Sequence, residues 1–191
     1  MWELTPFQTI GPFFHHALTL PGGETLPGEK TAGQRVLITG TVRDGARAVV
    51  PDALLEIWQA DAAGRYHHPE DVQEGALDPA FDGFGRAPTD DAGRFSFVTV
   101  KPGPVPGPDD RQQAPHVLVG ILARGILARL VTRIYFEDEP SNARDPILQL
   151  VPVERRQTLV ARAEDPGRDG LVRYRFDIVL QGENETVFFD V

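Results

Sequence analysis

The sequence contains no cysteine, which excludes disulfide bonds and thiolate metal sites and suits a reducing cytoplasm. It also lacks an apolar run near the ~20 residues that a membrane-spanning helix needs. Its first residues, MWELTPFQ, lack the basic and apolar blocks of a secretory signal, so we expect no cleaved leader and a cytoplasmic location. Neither GxGxxG nor GxxxxGK[ST] occurs, so a nucleotide-binding loop is not indicated.

Positive charge is scarce. The chain has 19 Lys and Arg against 28 Asp and Glu, which gives a formal net charge of -9 at pH 7. Nucleic-acid binding depends on basic surface that neutralises phosphates, so the charge argues against that class of partner. An anionic substrate would have to be held by a local arginine against the field of the whole chain.

The chain is long enough for one domain with a real core, at 191 residues and 41% hydrophobic content. Residues 1–33 are rich in turn signals, as in TPFQTIGPFF and LPGGETLPGEK, and lack sustained periodicity. We expect an N-terminal arm there that packs on a partner subunit through Phe7, Phe13 and Phe14. The alternative is a terminus that covers its own domain.

Short β-branched and apolar segments separated by turn signals fill residues 34–191, among them VLITGTV, RFSFVTV, VLVGILA and LVTRIYF. This pattern predicts an all-β domain with an antiparallel β-sandwich core and little helix. Apolar residues are sparse in PVERRQTLVARAED, for which we expect either one or two helical turns or a solvated loop.

Three motifs between Gly64 and Gly125 bear on metal chemistry: GRYHHPED, KPGPVPGP and APHVLVGILARG. Their order resembles the intradiol ring-cleavage dioxygenases, in which two tyrosines and two histidines bind ferric iron and leave room for a bidentate diol. Tyr66 and His116 match one ligand of each kind. Val105 and Leu118 stand at the other two positions and cannot bind a metal, so we expect no iron site in this chain. The plainer interpretation of Tyr66 and His116 is a pair of hydrogen-bonded, partly buried side chains.

Within that family the chain is most similar to the non-iron, alpha-type chain of members built from two related chains. The similarity runs from QTIGPFFHHAL to YRFDIVLQGENETVFFDV and so covers nearly the whole sequence. It implies that an iron-bearing beta-type chain is the partner and that αβ units form a higher hetero-oligomer. It further implies cleavage of 3,4-dihydroxybenzoate by O2 to 3-carboxy-cis,cis-muconate, with no catalytic residue in this chain. Gly107 and Gln113 also depart from the iron-bearing chains, which carry Trp and Arg there.

The resemblance assigns four substrate-binding residues to this chain: Arg124, Thr9, Gly11 and Pro12. Arg124 ends the apolar run VLVGILARG, where a guanidinium is a poor core filler and its planar fork suits a carboxylate or catecholate. Its alternative role is an ion pair with an Asp or Glu across the subunit interface. The other three lie in QTIGP, which matches the segment at the mouth of the partner's active site.

Two other functions stay open. The first is a free-standing β-sandwich module that binds an aromatic ligand without catalysis. The second is an autonomous single-chain intradiol dioxygenase, which the missing ligands disfavour.

Overall fold

A computed structural model of the chain describes residues 13–19 and 21–190, together with Thr9 and Gly11. The strands of this part are β1 (Arg35–Arg43), β2 (Leu54–Trp58), β3 (Phe84–Pro88), β4 (Arg94–Val100), β5 (Val105–Pro106), β6 (Gln112–Gln113), β7 (His116–Leu122), β8 (Leu130–Phe136), β9 (Val160–Glu164), β10 (Val172–Arg175) and β11 (Ile178–Val179). The helical segments are α1 (Phe14–Ala17) and 3-10 turns at Pro108–Asp110, Pro140–Arg144, Leu148–Leu150 and Val153–Leu159. The prediction of a β-rich fold with little helix is confirmed. None of the helices in these ranges is long and apolar enough to cross a membrane.

Nine of these strands form one sheet that is nearly closed. Strand β1 pairs with β4 on one edge and with β10 and β11 on the other. From β10 the sheet continues through β9, β8, β7 and β2 to β3. The end strands β3 and β4 follow each other in sequence and lie in contact, which brings the two ends of the sheet together.

The expectation of an antiparallel core is wrong at three strand pairs. Strand β1 runs parallel to β10 and β11, and β8 runs parallel to β9. Parallel neighbours require a long connection, and residues 137–159 provide one between β8 and β9. The charge-dense segment after Pro152 forms a 3-10 turn and then strand β9, a strand that its composition did not predict. Leu159 and Ala161 are fully buried there, which explains why a polar segment is ordered.

The core lies inside this sheet and follows the alternation of the strands. In β4 the side chains of Phe95, Phe97 and Thr99 are buried while Ser96 is exposed, as the period of two predicts. Full burial of a side chain such as Phe97 contributes about 1.5–3 kcal/mol. A second, smaller cluster lies under the 3-10 turns; its members are Ala114, Tyr135, Leu148, Val151 and Leu159.

The second half of the predicted arm packs on its own chain. The backbone N–H of Leu26 donates to the carbonyl of Val98 (3.0 Å), and that of Val98 donates to Glu24 (2.8 Å). Nη1 of Arg86 donates to the carbonyl of Leu18 (3.0 Å). Leu18, Glu24 and Leu26 therefore contact β3 and β4 of the same chain, and packing of the arm on a partner stays a prediction. Phe7 lies outside the described residues.

Candidate functional site

The four positions that correspond to the iron ligands of the resembled family meet in one cleft. Tyr66, Val105, His116 and Leu118 all line a cleft of ≈ 430 Å³. The other lining residues are Trp58, His68, Glu70, Asp71, Val72, Gln73, Pro106, Gln113 and Arg133. The fold thus brings together the residues that the motif order predicts to form a site. These residues are spread over the sequence from position 58 to position 133.

A glycine sets the distance between the two loops that form one wall. Gly64, two residues before Tyr66, has φ +83° and lies so close to the carbonyl of Pro104 that a Cβ would overlap it. Only glycine combines this left-handed backbone with such an approach. The loop carrying Tyr66 and the loop carrying Val105 can therefore touch.

Tyr66 is fixed by contacts on two sides. Its ring stacks on that of Trp58, with centroids 5.9 Å apart and planes 18° from parallel. Its backbone N–H donates to Oδ2 of Asp71 (2.6 Å), and Asp71 also pairs with Arg65 (3.3 Å). Burial raises the pKa of the Tyr66 phenol, an effect that the positive charge of Arg133 partly offsets. The phenol is therefore neutral at pH 7.

His116 begins β7 and is buried at the floor of the cleft. Its Nδ1 lies 2.7 Å from the carbonyl oxygen of Ala114. A carbonyl only accepts, so Nδ1 carries the proton and Nε2 is left as an acceptor. Burial, assisted by the nearby Arg133 guanidinium, lowers the pKa of His116 to about 4. The imidazole is neutral at physiological pH.

Arg133 places a positive charge in the cleft. It lies on β8 directly opposite Leu118 in the strand register. Its Nη1 donates to Oε1 of Gln113 (2.7 Å) and lies 3.4 Å from the hydroxyl of Tyr135. Within the described part of the chain, no carboxylate forms an ion pair with it. Our sequence analysis assigned this arginine no role; a charged residue inside the apolar strand LVTRIYF is the signal that could have identified it.

These residues do not fit a ferric ion. Val105 and Leu118 supply no donor atom, and the guanidinium of Arg133 would repel a trivalent cation at short range. A side chain at position 107 would be crowded, because a Cβ at Gly107 would lie 2.9 Å from the backbone carbonyl oxygen of Arg111. Among the described residues, no group of three or more His, Asp or Glu could hold a metal ion.

Arg124 lies away from this cleft. It follows β7 at the end opposite to His116, separated by a seven-residue strand of roughly 20 Å. Its side chain is 63% exposed, and its Nε donates to Oδ2 of Asp52 in the same chain. The sequence predicted, as the alternative role of Arg124, an ion pair across the subunit interface. In this structure the carboxylate that pairs with Arg124 belongs to the same chain.

The QTIGP segment is described only in part. Thr9 is exposed, and Gly11 is half-buried with φ +81°, a backbone conformation that favours glycine. Pro12 lies outside the described residues.

Comparison with known proteins places these features in a family. The model of a dioxygenase family (Dioxygenase_C) matches residues 10–182. The chain is 44% identical over 200 residues to the protocatechuate 3,4-dioxygenase alpha chain of Burkholderia cepacia, an alignment that covers 98% of this chain and 97% of that relative. It is 38% identical to the protocatechuate 3,4-dioxygenase beta chain of the same organism, covering 94% and 76% of the two chains.

Fold similarity also extends over most of the chain. The solved dioxygenase domain of a dioxygenase–carbohydrate-binding protein fusion from Streptomyces sp. SirexAA-E matches with a TM-score of 0.63 at 27% identity. The match covers 94% of this chain and 99% of that domain.

Proposed function

The chain belongs to the intradiol ring-cleavage dioxygenase family, and on that premise we propose that it is the alpha subunit of a protocatechuate 3,4-dioxygenase. Its partner is then a beta subunit that binds ferric iron, and the assembly is a hetero-oligomer of αβ units. Together they convert 3,4-dihydroxybenzoate and O2 to 3-carboxy-cis,cis-muconate. A cytoplasmic location and the sandwich packing of the sheet stay predictions from the sequence.

One observation carries the assignment to the alpha type. All four ligand positions of the family meet in a single cleft of this chain, yet two of them hold the apolar side chains Val105 and Leu118. A chain with this cleft cannot supply the iron, while its sequence follows an alpha chain over 98% of its length. The chemistry is therefore assigned to the partner, and this chain contributes binding groups and assembly.

Arg124 is the group best suited to reach into the partner's substrate pocket. The ion pair with Asp52 engages its Nε, and no other acceptor in the described part of the chain engages its terminal nitrogens. Those nitrogens form a planar pair of donors that matches a carboxylate. Because the side chain is 63% exposed, it can approach a second subunit.

We assign the remaining contacts to the QTIGP segment of the arm. Thr9 offers an exposed hydroxyl, and the left-handed Gly11 allows the backbone to approach a ligand closely. Pro12 completes the segment. Phe13 is 75% exposed, whereas Phe14 is 5% exposed, so one apolar ring next to this segment anchors it and the other is available to a partner.

Co-purification tests the proposal. The chain is purified alone and with the presumed beta subunit, and iron content and oxygen uptake driven by 3,4-dihydroxybenzoate are measured in both. We expect iron and activity only in the complex. Iron and activity in the chain by itself would overturn the proposal, and a stable monomer that never associates would favour the free-standing binding module.

A further inference from the structure

We propose that the cleft around Arg133 is a ligand site of this chain, which takes a flat aromatic carboxylate without a metal. The inference rests on the charge and the shape of the cleft walls. The site lies entirely within one chain.

The charge comes from Arg133. Its guanidinium is half-buried; among the described residues it hydrogen-bonds to the neutral groups of Gln113 and Tyr135 and lies 5.8 Å from the centroid of the Phe189 ring, and no carboxylate pairs with it. A partly desolvated cation without an anionic partner is costly, and an incoming carboxylate relieves that cost through charge-assisted hydrogen bonds. The planar fork of arginine favours a carboxylate over a single-atom anion.

The carboxylates already in the cleft do not fill this role. Asp71 is engaged by Arg65 and by the backbone N–H groups of Tyr66 and Gln73. Glu70 is exposed to solvent at the rim. Neither forms an ion pair with Arg133 in the part of the chain that the structure describes.

The walls select a flat apolar body. The stacked rings of Trp58 and Tyr66 form one side, and apolar side chains of Val105, Pro106 and Leu118 also line the cleft. A volume of ≈ 430 Å³ lies within the range of small-molecule sites. An aromatic ring gains offset or edge contacts against such a pair, which a saturated ring of equal size does not.

His116 and Tyr66 add no carboxylate to the cleft. Nδ1 of His116 is engaged by the carbonyl of Ala114 (2.7 Å), and the ring of Tyr66 is stacked on Trp58. Arg133 is therefore the group that distinguishes an anion from an uncharged ligand of the same shape. An uncharged aromatic would leave the guanidinium without an anionic partner.

Isothermal titration calorimetry with benzoate tests the site. The sample is the full-length chain co-purified with its partner, and the measured quantity is the number of benzoate sites per copy of this chain. In Arg133→Gln we expect one benzoate site per copy to disappear or its affinity to fall about ten- to hundredfold. This is the size of effect that loss of a charge-assisted hydrogen bond produces. Arg133→Lys keeps the charge without the fork and should restore part of the affinity. Arg129→Gln, at an arginine paired with Glu56 outside the cleft, should leave the count unchanged.

Two ligand analogues test the need for an aromatic ring and for a carboxylate, and a second variant tests the cleft itself. Cyclohexanecarboxylate should bind more weakly than benzoate, and benzyl alcohol should not bind. Leu118→Trp should also abolish the site by filling the cleft while retaining Arg133, with folding of every variant checked by thermal unfolding. An unchanged site count in both cleft variants, or equal binding of benzoate and benzyl alcohol, would refute the inference whether or not the proposed partner is correct.

Discussion

Nη1 of Arg133 donates a 2.7 Å hydrogen bond to Oε1 of Gln113 in the cleft that Tyr66 and His116 also line. Two residues that are 20 positions apart in sequence thus place a guanidinium in the cleft where the four ligand positions of the resembled family meet. The cleft retains a positive charge, but it is carried by a side chain rather than by an ion.

Rebuilding the donor set should not suffice to restore a metal site. Val105→Tyr with Leu118→His supplies the missing donors, but the Arg133 guanidinium still opposes a trivalent cation. We expect iron well below one per chain in that double variant and close to one per chain when Arg133→Gln is added. Metal analysis of the purified chains gives the answer.

The matched control for the rebuilt site replaces the phenolate by a ring without oxygen. Val105→Phe combined with Leu118→His and Arg133→Gln should lose most of the iron. Full occupancy in the double variant that keeps Arg133 would show that the guanidinium does not exclude the metal.

Substrate use by the complex should depend on Arg124. Arg124→Ala removes a donor pair from a carboxylate, so we expect kcat/KM for 3,4-dihydroxybenzoate to fall about ten- to hundredfold. Iron content should stay near that of the wild type, because the metal is assigned to the partner. Arg162→Ala, at an exposed position on β9, serves as the control. Wild-type kinetics in Arg124→Ala would end the assignment of a substrate contact.

Acid should destabilise the chain partly through His116. Its pKa is about 4 in the folded state and near 6.5 when unfolded, so below pH 6.5 the unfolded state binds more protons. The free energy of unfolding should therefore fall as pH drops from 6.5 to 4, by about 3 kcal/mol from this residue.

The His116→Asn variant isolates that contribution, since the carboxylates of the chain also titrate in acid. The stability difference between wild type and variant, measured by urea unfolding at each pH, should shrink by about 3 kcal/mol between neutral pH and pH 4. His67→Asn, at an exposed position, provides the surface control. A difference that stays constant across the range would contradict the neutral, buried imidazole.

Gly64 should be far less tolerant of alanine than Gly75. Both have positive φ, but a Cβ at Gly64 would overlap the carbonyl of Pro104, whereas nothing lies within 4 Å at Gly75. We expect Gly75→Ala to cost about 1–2 kcal/mol for the backbone conformation alone. Gly64→Ala should cost about 3 kcal/mol or more and separate the two cleft loops. Equal costs in urea unfolding would mean that the loops are not in contact.

The strands and their faces could be read from the sequence. The alternation in RFSFVTV predicted the buried side of β4, and the order of GRY, KPGP and the segment after His116 predicted which residues would meet. These inferences succeed because a strand has a period of two and because family motifs keep their order. Strand β9 was missed, since its burial comes from the neighbours β8 and β10 and not from its own composition.

The sequence by itself determined the β-rich class, the loss of two metal donors and the similarity to a non-iron chain, because these depend only on residue types and their order. The tertiary structure decided that Arg133 occupies the cleft, that Arg124 pairs with Asp52, and that β8 and β9 run parallel. Each of these is a contact between residues distant in sequence. Such contacts depend on strand register and on closure of the sheet. A local sequence pattern does not encode which distant residue a long side chain will meet.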